Sequence, residues 1–184
     1  MLLQPTTKVY VARAGEPIHY AEREKRSVQD WMRMPVSGIS WDDALAYTAW
    51  LSRTDRVPGA RPCHDHEWER AARGADARAF PNGNRLDRDD ANIDETYGRK
   101  PYAFGPDEVG AHPASDSPFG VSDLAGNAWE MVSAVSGNGE IGIRGGGWYH
   151  DQLSARSNDR EAGNVALRAA DLGLRVCAPA PRAR

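Results

Sequence analysis

Lysine is nearly missing from this chain. Lys and Arg together number 23 in 184 residues, and the lysines are Lys8, Lys25 and Lys100 alone. That bias points to a GC-rich genome rather than to a function. Net charge is small, −3 at pH 7. A nucleic-acid partner or a polybasic membrane anchor needs a larger electrostatic footprint, so neither is expected. No stretch approaches the roughly 20 apolar residues of a spanning helix. The start, Met1-Leu2-Leu3-Gln4-Pro5, lacks a basic region followed by an apolar run, so no export signal is read there and a cytoplasmic location is expected. Surface display would then require fusion or another export route. Cysteine is scarce too. Cys63 and Cys177 are too few and too far apart for a disulfide framework or a zinc knuckle. They are expected to be small buried or rim thiols in a reducing compartment. No internal repeat or low-complexity tract is present.

What remains is enough for one globular domain, with 40% hydrophobic residues. Thr7–Ala12 reads as a short strand. A helix is expected from about Tyr20 to Trp31, ended by Pro35. Pro35–Ser40 reads as a short strand leading to Ser40 as N-cap. Asp43 stands three residues later in a near-capping-box arrangement. Ala44, Leu45, Tyr47, Thr48, Trp50 and Leu51 then recur at helical spacing. A second helix, capped by His64 or Asp65, runs through Glu67–Arg73 to Gly74, a C-terminal stop. Trp68, Ala71 and Ala72 are its expected buried face. Residues 75–118 are rich in Gly, Pro, Asn and Asp, with Phe80, Ile93, Tyr97, Tyr102, Phe104 and Val109 as anchors. A loop that long is usually functional, or is ordered by something such as a metal ion. Pro118–Val132 reads as a turn, a short turn-helix and then a strand containing Trp129, Met131 and Val132. Ile141–Arg144 reads as a strand entering the glycine turn Gly145-Gly146-Gly147, and Leu172–Val176 as an alternating closing strand. Between them the segment Tyr149–Asp171 is polar and shows little periodicity.

Four ordered segments carry a resemblance. They are Pro35–Trp41 with its helix, Arg61–Gly74, Ser117–Glu130 with Asp123, Gly126, Asn127, Trp129 and Glu130, and Arg144–Trp148 through Leu172–Arg175. Together they resemble the sulfatase-modifying factor, or formylglycine-generating enzyme, superfamily over roughly Pro35–Val176. The resemblance implies an α+β, C-type lectin-like fold with two helices, short antiparallel strands and much irregular structure. It divides the chain into an N-terminal segment, 1–34, a domain at 35–178 and a tail at 179–184. The first segment matches the family poorly and reads as a strand and helix left from a longer chain, or as a minimal opening to the fold.

Enzymes of that family resemble copper oxidases that use two cysteines in the loop after the Gly-Gly motif, because a soft copper(I) ion needs thiolates. Residues 149–160 contain no cysteine, so no catalytic residue is assigned. The alternative reading is a metal-dependent oxidative enzyme, or an enzyme-like domain, of the same family. His19, His64, His66, His112 and His150 give no ligand spacing for iron; His64 and His66 are two apart and do not share a helix face. The resemblance also implies a structural calcium ion, held by the side chains of Asp123 and Glu130 and the carbonyls of Gly126 and Ala128. Hard oxygen donors of this kind suit it. A second family site would fall on Asn92 and Ile93.

The loop itself carries a second likeness. Tyr149, His150 and Asp151 share with Asn a codon form that differs only in its first base. Asn158-Asp159, Asn164-Val165-Ala166 and Ala169-Ala170-Asp171 are likewise reachable from AAC by changing adenines. The pattern resembles the variable region of proteins diversified by retroelements on this same fold, with Gly147 and Leu174 as departures from the template. The leading reading is therefore a non-enzymatic domain displaying a surface to a protein or other macromolecular ligand. Its expected ligand-binding residues are Trp148, Tyr149, His150, Asp151, Asn158, Asp159, Asn164 and Asp171. Arg144, Arg156 and Arg160 are assigned to holding loops in place, and Trp41, Trp50, Trp68 and Trp129 to the core.

Overall fold

The computed structural model describes residues 2–3, 10–11, 13, 15–134 and 140–180. Its two α-helices form where the sequence offers both a cap and an apolar face. Helix α1 spans Trp41–Arg53. The Ser40 hydroxyl accepts the Asp43 backbone N–H at 3.3 Å, and the Asp43 carboxylate accepts the Ser40 N–H at 2.8 Å. This reciprocal arrangement satisfies donors that the first helical turn leaves open. Helix α2 spans Asp65–Arg73 from His64 as N-cap to Gly74, whose φ is 69°. Glu67 reaches back to the His64 N–H at 2.9 Å.

The strands are short. β1 (Leu2–Leu3) pairs with β2 (Tyr10–Val11), and β3 (Ile18–His19) pairs with β4 (Val28–Gln29). β5 (Arg61–Pro62) lies between the helices. The main sheet contains β6 (Trp129–Ser133), β7 (Ile141–Arg144), β8 (Glu161–Ala162) and β9 (Leu172–Leu174), in the order β8-β7-β6-β9. β10 (Val176–Cys177) leaves it to pair with β5. The alternation of side chains along β6 sets the layers. Trp129 and Met131 join Ala44 of α1, Ile141, Ile143 and Leu172 in one cluster. Val132 joins Trp68, Ala72, Cys63 and Leu124 on the α2 side. The two helices thus cover opposite faces of the central strand, and β6 is buried on both.

Several sequence expectations give way here. The segment expected to be a helix, Tyr20–Trp31, is instead the β3–β4 hairpin, followed by a single 3-10 turn at Trp31–Arg33. Tertiary contacts override local propensity: Ile18, Tyr20 and Met34 form a cluster of their own, and the Arg23 side chain turns inward. The hairpin packs against residues 103–107, so contacts run straight across residue 34. Of the strand expected at Thr7–Ala12, Tyr10–Val11 forms β2 and the rest lies outside the described residues. Pro35–Ser40 makes only a single bridge, Ser37 to Gly173. The expected closing strand divides into β9 and β10, with Arg175 at the switch. β9 also departs from the antiparallel expectation, because it runs parallel to β6. Trp50 is 38% exposed, not core. It stacks on Tyr47 and lies under the Arg56 guanidinium.

The largest correction concerns cysteine. Cys63 and Cys177 form a disulfide across 114 residues. The pairing of β5 with β10 sets Arg61 opposite Cys177 and brings the two sulfurs together. Long-range register, invisible in the spacing, decides it. The reducing-compartment expectation rested on free thiols and loses that support. Among the described residues, no helix is long and apolar enough to cross a membrane.

Candidate functional site

The parallel pairing of β9 with β6 fixes the geometry of the loop. β7 runs antiparallel to β6 and ends with Arg144 opposite Glu130. A parallel partner must be entered from the same end as its neighbour, so β9 begins with Leu172 opposite Trp129. The segment 145–171 therefore leaves and re-enters the sheet at one end. Arg144, fully buried, ties this arch from below. Its guanidinium donates to Asp65 at 2.6 Å and to Glu69, and also to the carbonyls of Ser157 at 3.2 Å and Asp159 at 2.6 Å. Arg160 adds contacts to the same two carboxylates. Both arginines thus hold loops; Arg156 is exposed.

The arch has three parts. In the middle, Ala155 is buried with Phe80, Leu86, Ala91, Ile93 and Ala125. Gln152 donates to the Leu86 carbonyl at 2.7 Å, and the Ser157 N–H to that of Ala79 at 2.8 Å. Further on, 163–171 docks beside the start of α1: Trp41 N–H donates to the Val165 carbonyl, and Arg168 pairs with Asp43. The first part, 148–151, faces outward from a firm base. Tyr149 is 45% exposed. Its ring meets Phe104 edge-on at 5.0 Å and rests 5.9 Å from Trp148. The backbone carbonyl of His150 accepts the Asp94 N–H at 2.9 Å. The Asp151 carboxylate accepts the N–H groups of Leu153 at 3.0 Å and Ser154 at 3.3 Å, closing the turn.

His150 sits at the junction. Its Nδ1 lies 3.1 Å from the Trp129 indole nitrogen and 3.2 Å from the Asp171 carboxylate. One nitrogen cannot accept from the indole and donate to the carboxylate together. A ring with Nδ1 unprotonated takes the indole N–H; a ring protonated at Nδ1 donates to Asp171. Hydrogen bonding to Asp171 raises the His150 pKa from its ordinary value against the opposing effect of burial, and the charges of Asp171, Glu161 and Asp151 add to it. Gly147 leaves room for this contact: a Cβ there would stand 3.0 Å from the Asp171 carboxylate and 3.2 Å from the Trp129 ring.

The expected ligand-binding residues therefore divide. Tyr149, His150, Asp151 and Asp171 share one surface. Trp148 does not belong to it as a contact residue, being only 3% exposed; it forms the floor beneath Tyr149. Its indole nitrogen has no hydrogen-bond partner among the described residues. Asn158 is exposed and Asp159 half-buried, the latter held through its carbonyl by Arg144. Asn164 caps a turn by accepting the Ala166 N–H at 2.9 Å. Among the described residues, no hydrogen bond or ring contact joins these three to Tyr149 or His150. Phe104, expected as a loop anchor, also packs against the Tyr149 ring, and Trp129, buried in the core as expected at 3% exposure, supports His150 from below. Their signal lies in tertiary contact with residue 149 or 150, not in local sequence.

The residues expected to hold calcium also meet. Asp123, Ala128 and Glu130 line one cavity of about 480 Å³ with Arg175. Arg175 grips Glu130 through both carboxylate oxygens, at 2.6 and 2.8 Å, and Trp68 donates to the same group at 2.6 Å. The Gly126 carbonyl accepts the Ala128 N–H at 2.9 Å. Asp123 accepts the Gly110 N–H at 2.7 Å and has no ion-pair partner among the described residues. Burial pushes its carboxyl up, opposed by that N–H and by Arg175. A half-buried carboxylate sharing a cavity with a second carboxylate and with backbone carbonyls is a donor set that suits a hard cation.

With this geometry in place, the likenesses to other proteins are specific. The model of the sulfatase-modifying factor enzyme 1-like domain matches residues 6–180. Inactive C-alpha-formylglycine-generating enzyme 2 of Mus musculus is 31% identical over 172 residues, covering 84% of this chain and 52% of that protein. The formylglycine-generating enzyme of Mycobacterium tuberculosis is 34% identical over 107 residues, covering 54% of this chain and 33% of that protein. The chain thus spans about half, or less, of these relatives' length. Treponema denticola variable protein 1 superposes with a TM-score of 0.69 at 18% identity, covering 82% of this chain and 73% of that one. The fold is α+β and C-type lectin-like, of the formylglycine-generating enzyme type, and the chain belongs to the sulfatase-modifying factor enzyme 1-like family.

Proposed function

We propose that this chain is a non-enzymatic binding domain whose arch, 149–171, presents a variable surface to a protein or other macromolecular ligand, and that a retroelement diversifies it. The observation that carries the reading is the pairing of an exposed Tyr149 with a rigid support. Its backbone is pinned on both sides, its ring lies against Phe104, and Trp148 fills the space below. Rigid aromatic area flanked by polar groups such as His150 and Asp151 gives contact at low entropic cost, as in antibody paratopes. Varied side chains at such positions leave the buried anchors Arg144, Ala155 and Leu172 untouched. The kinship with a protein named as an inactive formylglycine-generating enzyme supports a binding role, as does the shared fold with a variable protein.

Two experiments test this. Sequencing the 3′ end of the gene and its neighbourhood is expected to reveal a reverse transcriptase and a near-identical template repeat. Differences from the template would sit at adenines in the codons of Tyr149, His150 and Asp151, and codons of another form there sink the diversification reading. For binding, a photo-crosslinking residue replaces Tyr149 in one sample and Phe119, exposed elsewhere, in another. Specific adducts are expected from position 149 alone; equal labelling from both overturns the assignment. Stoichiometric redox-active copper or iron at His150 would instead favour the oxidative-enzyme alternative. We further propose a structural calcium ion at Asp123, Glu130 and the carbonyls of Gly126 and Ala128, where it would neutralise the half-buried Asp123 carboxylate. A chelator should then lower the melting temperature of the native chain but not that of Asp123→Asn.

A further inference from the structure

The second calcium position that the resemblance implies, at Asn92 and Ile93, is already engaged in bonds within this chain. A ligating asparagine presents its oxygen. Here the Asn92 Nδ2 donates to the Gly105 carbonyl at 2.9 Å and to Asn127 Oδ1 at 3.2 Å. Both partners are acceptors, so the amide nitrogen must face them. The Ile93 carbonyl already accepts the Thr96 N–H at 3.1 Å. The oxygens around this point converge instead on a side chain from the N-terminal hairpin.

That side chain is Arg23. Its guanidinium donates to the Ala103 carbonyl at 2.7 Å, to the Gly105 carbonyl at 2.7 Å and to Asp107 Oδ1 at 2.5 Å. Arg23 and Asn92 therefore meet on the same Gly105 oxygen. The guanidinium carbon lies 3.5 Å from the centre of the Tyr20 ring and 4.0 Å from that of Tyr97. The Tyr20 hydroxyl donates to the Pro106 carbonyl at 3.0 Å, closing the cage. Gly105 permits this: a Cβ at its φ of 147° would stand 2.5 Å from the Tyr20 ring. Asp107 is fully buried and accepts Tyr97 and His112 on its other oxygen, at 2.6 and 2.7 Å. Burial would raise its pKa, but the bond from His112 and the charge of Arg23 outweigh burial and lower it.

We propose that the Arg23 guanidinium is the resident cation of the 91–107 loop, taking the oxygen-lined place of a second calcium ion, so that this loop is ordered without metal. A planar fork of donors meets two carbonyls and a carboxylate as a small cation would, and it cannot dissociate. The N-terminal hairpin supplies this cation.

Hydrogen exchange on the whole chain, read by mass spectrometry in calcium and in chelator, tests the proposal. Exchange over 91–107 is expected to be the same in both conditions. Exchange over 122–130 reports separately on the Asp123 site, so the two proposals fail independently. Arg23→Ala is expected to speed exchange over 91–107 by an order of magnitude or more. Arg23→Lys, which keeps the charge and loses the fork, should fall between. Calcium that restores protection to Arg23→Ala alone also supports the assignment. Faster exchange of the native 91–107 loop in chelator overturns it, as does an Arg23→Ala chain with unchanged exchange. If Arg23→Ala fails to fold, the native chain and Arg23→Lys still decide the question.

Discussion

His150 shows how much can hang on one nitrogen. Its Nδ1 serves Trp129 when it carries no proton and Asp171 when it does, and the protonated ring makes that second contact an ion pair. The folded-state pKa is raised above the ordinary 6.5, led by the hydrogen bond to Asp171. The tether of 148–151 to Asp171 is therefore fully present below about 6.5 and is lost as pH rises through the folded value. An NMR titration of the His150 ring should place its midpoint above 6.5 in the native chain and lower in Asp171→Asn; equal midpoints would remove Asp171 as the cause. Neighbouring aromatics behave oppositely. Trp148→Ala empties the floor and is expected to cost about 3–5 kcal/mol of stability. Tyr149→Ala, at an exposed position, should cost less than about 1 kcal/mol. Urea unfolding of the two variants separates floor from contact surface.

At the scale of elements, the arch is a loop only in name. It is nailed at Ala155, at the backbone carbonyls of Ser157 and Asp159, and along 163–171 beside α1. Arg144→Met removes the buried cation facing Asp65 and Glu69 and should cost about 3–5 kcal/mol, because two carboxylates lose their main partner. Chemical unfolding would check the magnitude, and a change under about 1 kcal/mol would contradict the clamp. Capping boxes and helical periodicity made α1 and α2 legible in the sequence. Hairpin β3–β4 was not legible, because what fixes it is Arg23 meeting residues about 80 positions away. Likewise β8, Glu161–Ala162, is exposed on both residues and carries no apolar alternation; it forms because β7 offers an open edge.

For the whole molecule, one covalent link spans most of the chain. The Cys63–Cys177 disulfide closes a loop of 114 residues, which in the chain-entropy picture contributes about 4–5 kcal/mol by restricting the unfolded state. Native strain makes many measured values smaller, so the Cys63→Ala/Cys177→Ala chain should lose about 2–5 kcal/mol against the oxidised protein in urea unfolding. The link lies at the far end of β6 from the Tyr149 surface. The Cys63 carbonyl accepts the Ser133 N–H, whereas His150 meets Trp129 at the other end, about 13 Å away at 3.3 Å per residue. Reduction is therefore expected to destabilise the fold while the Tyr149 surface, once folded, keeps its shape.

The sequence by itself determined the helices, the central strands, the family resemblance and the glycine-rich entry to the arch. Each of these is written in local chemistry: a cap, a period, a turn, a motif. It also placed Tyr149, His150 and Asp151 in an outward-facing run. The tertiary structure alone decided that Trp148 and Trp129 lie beneath that surface, that Phe104 packs against Tyr149, and that Asn158 and Asn164 stand apart from it. It alone paired Cys63 with Cys177 and turned Arg23 inward. These depend on which distant segments the parallel β6–β9 pairing and the β5–β10 register bring within a few ångströms, and no spacing along the chain encodes such a distance.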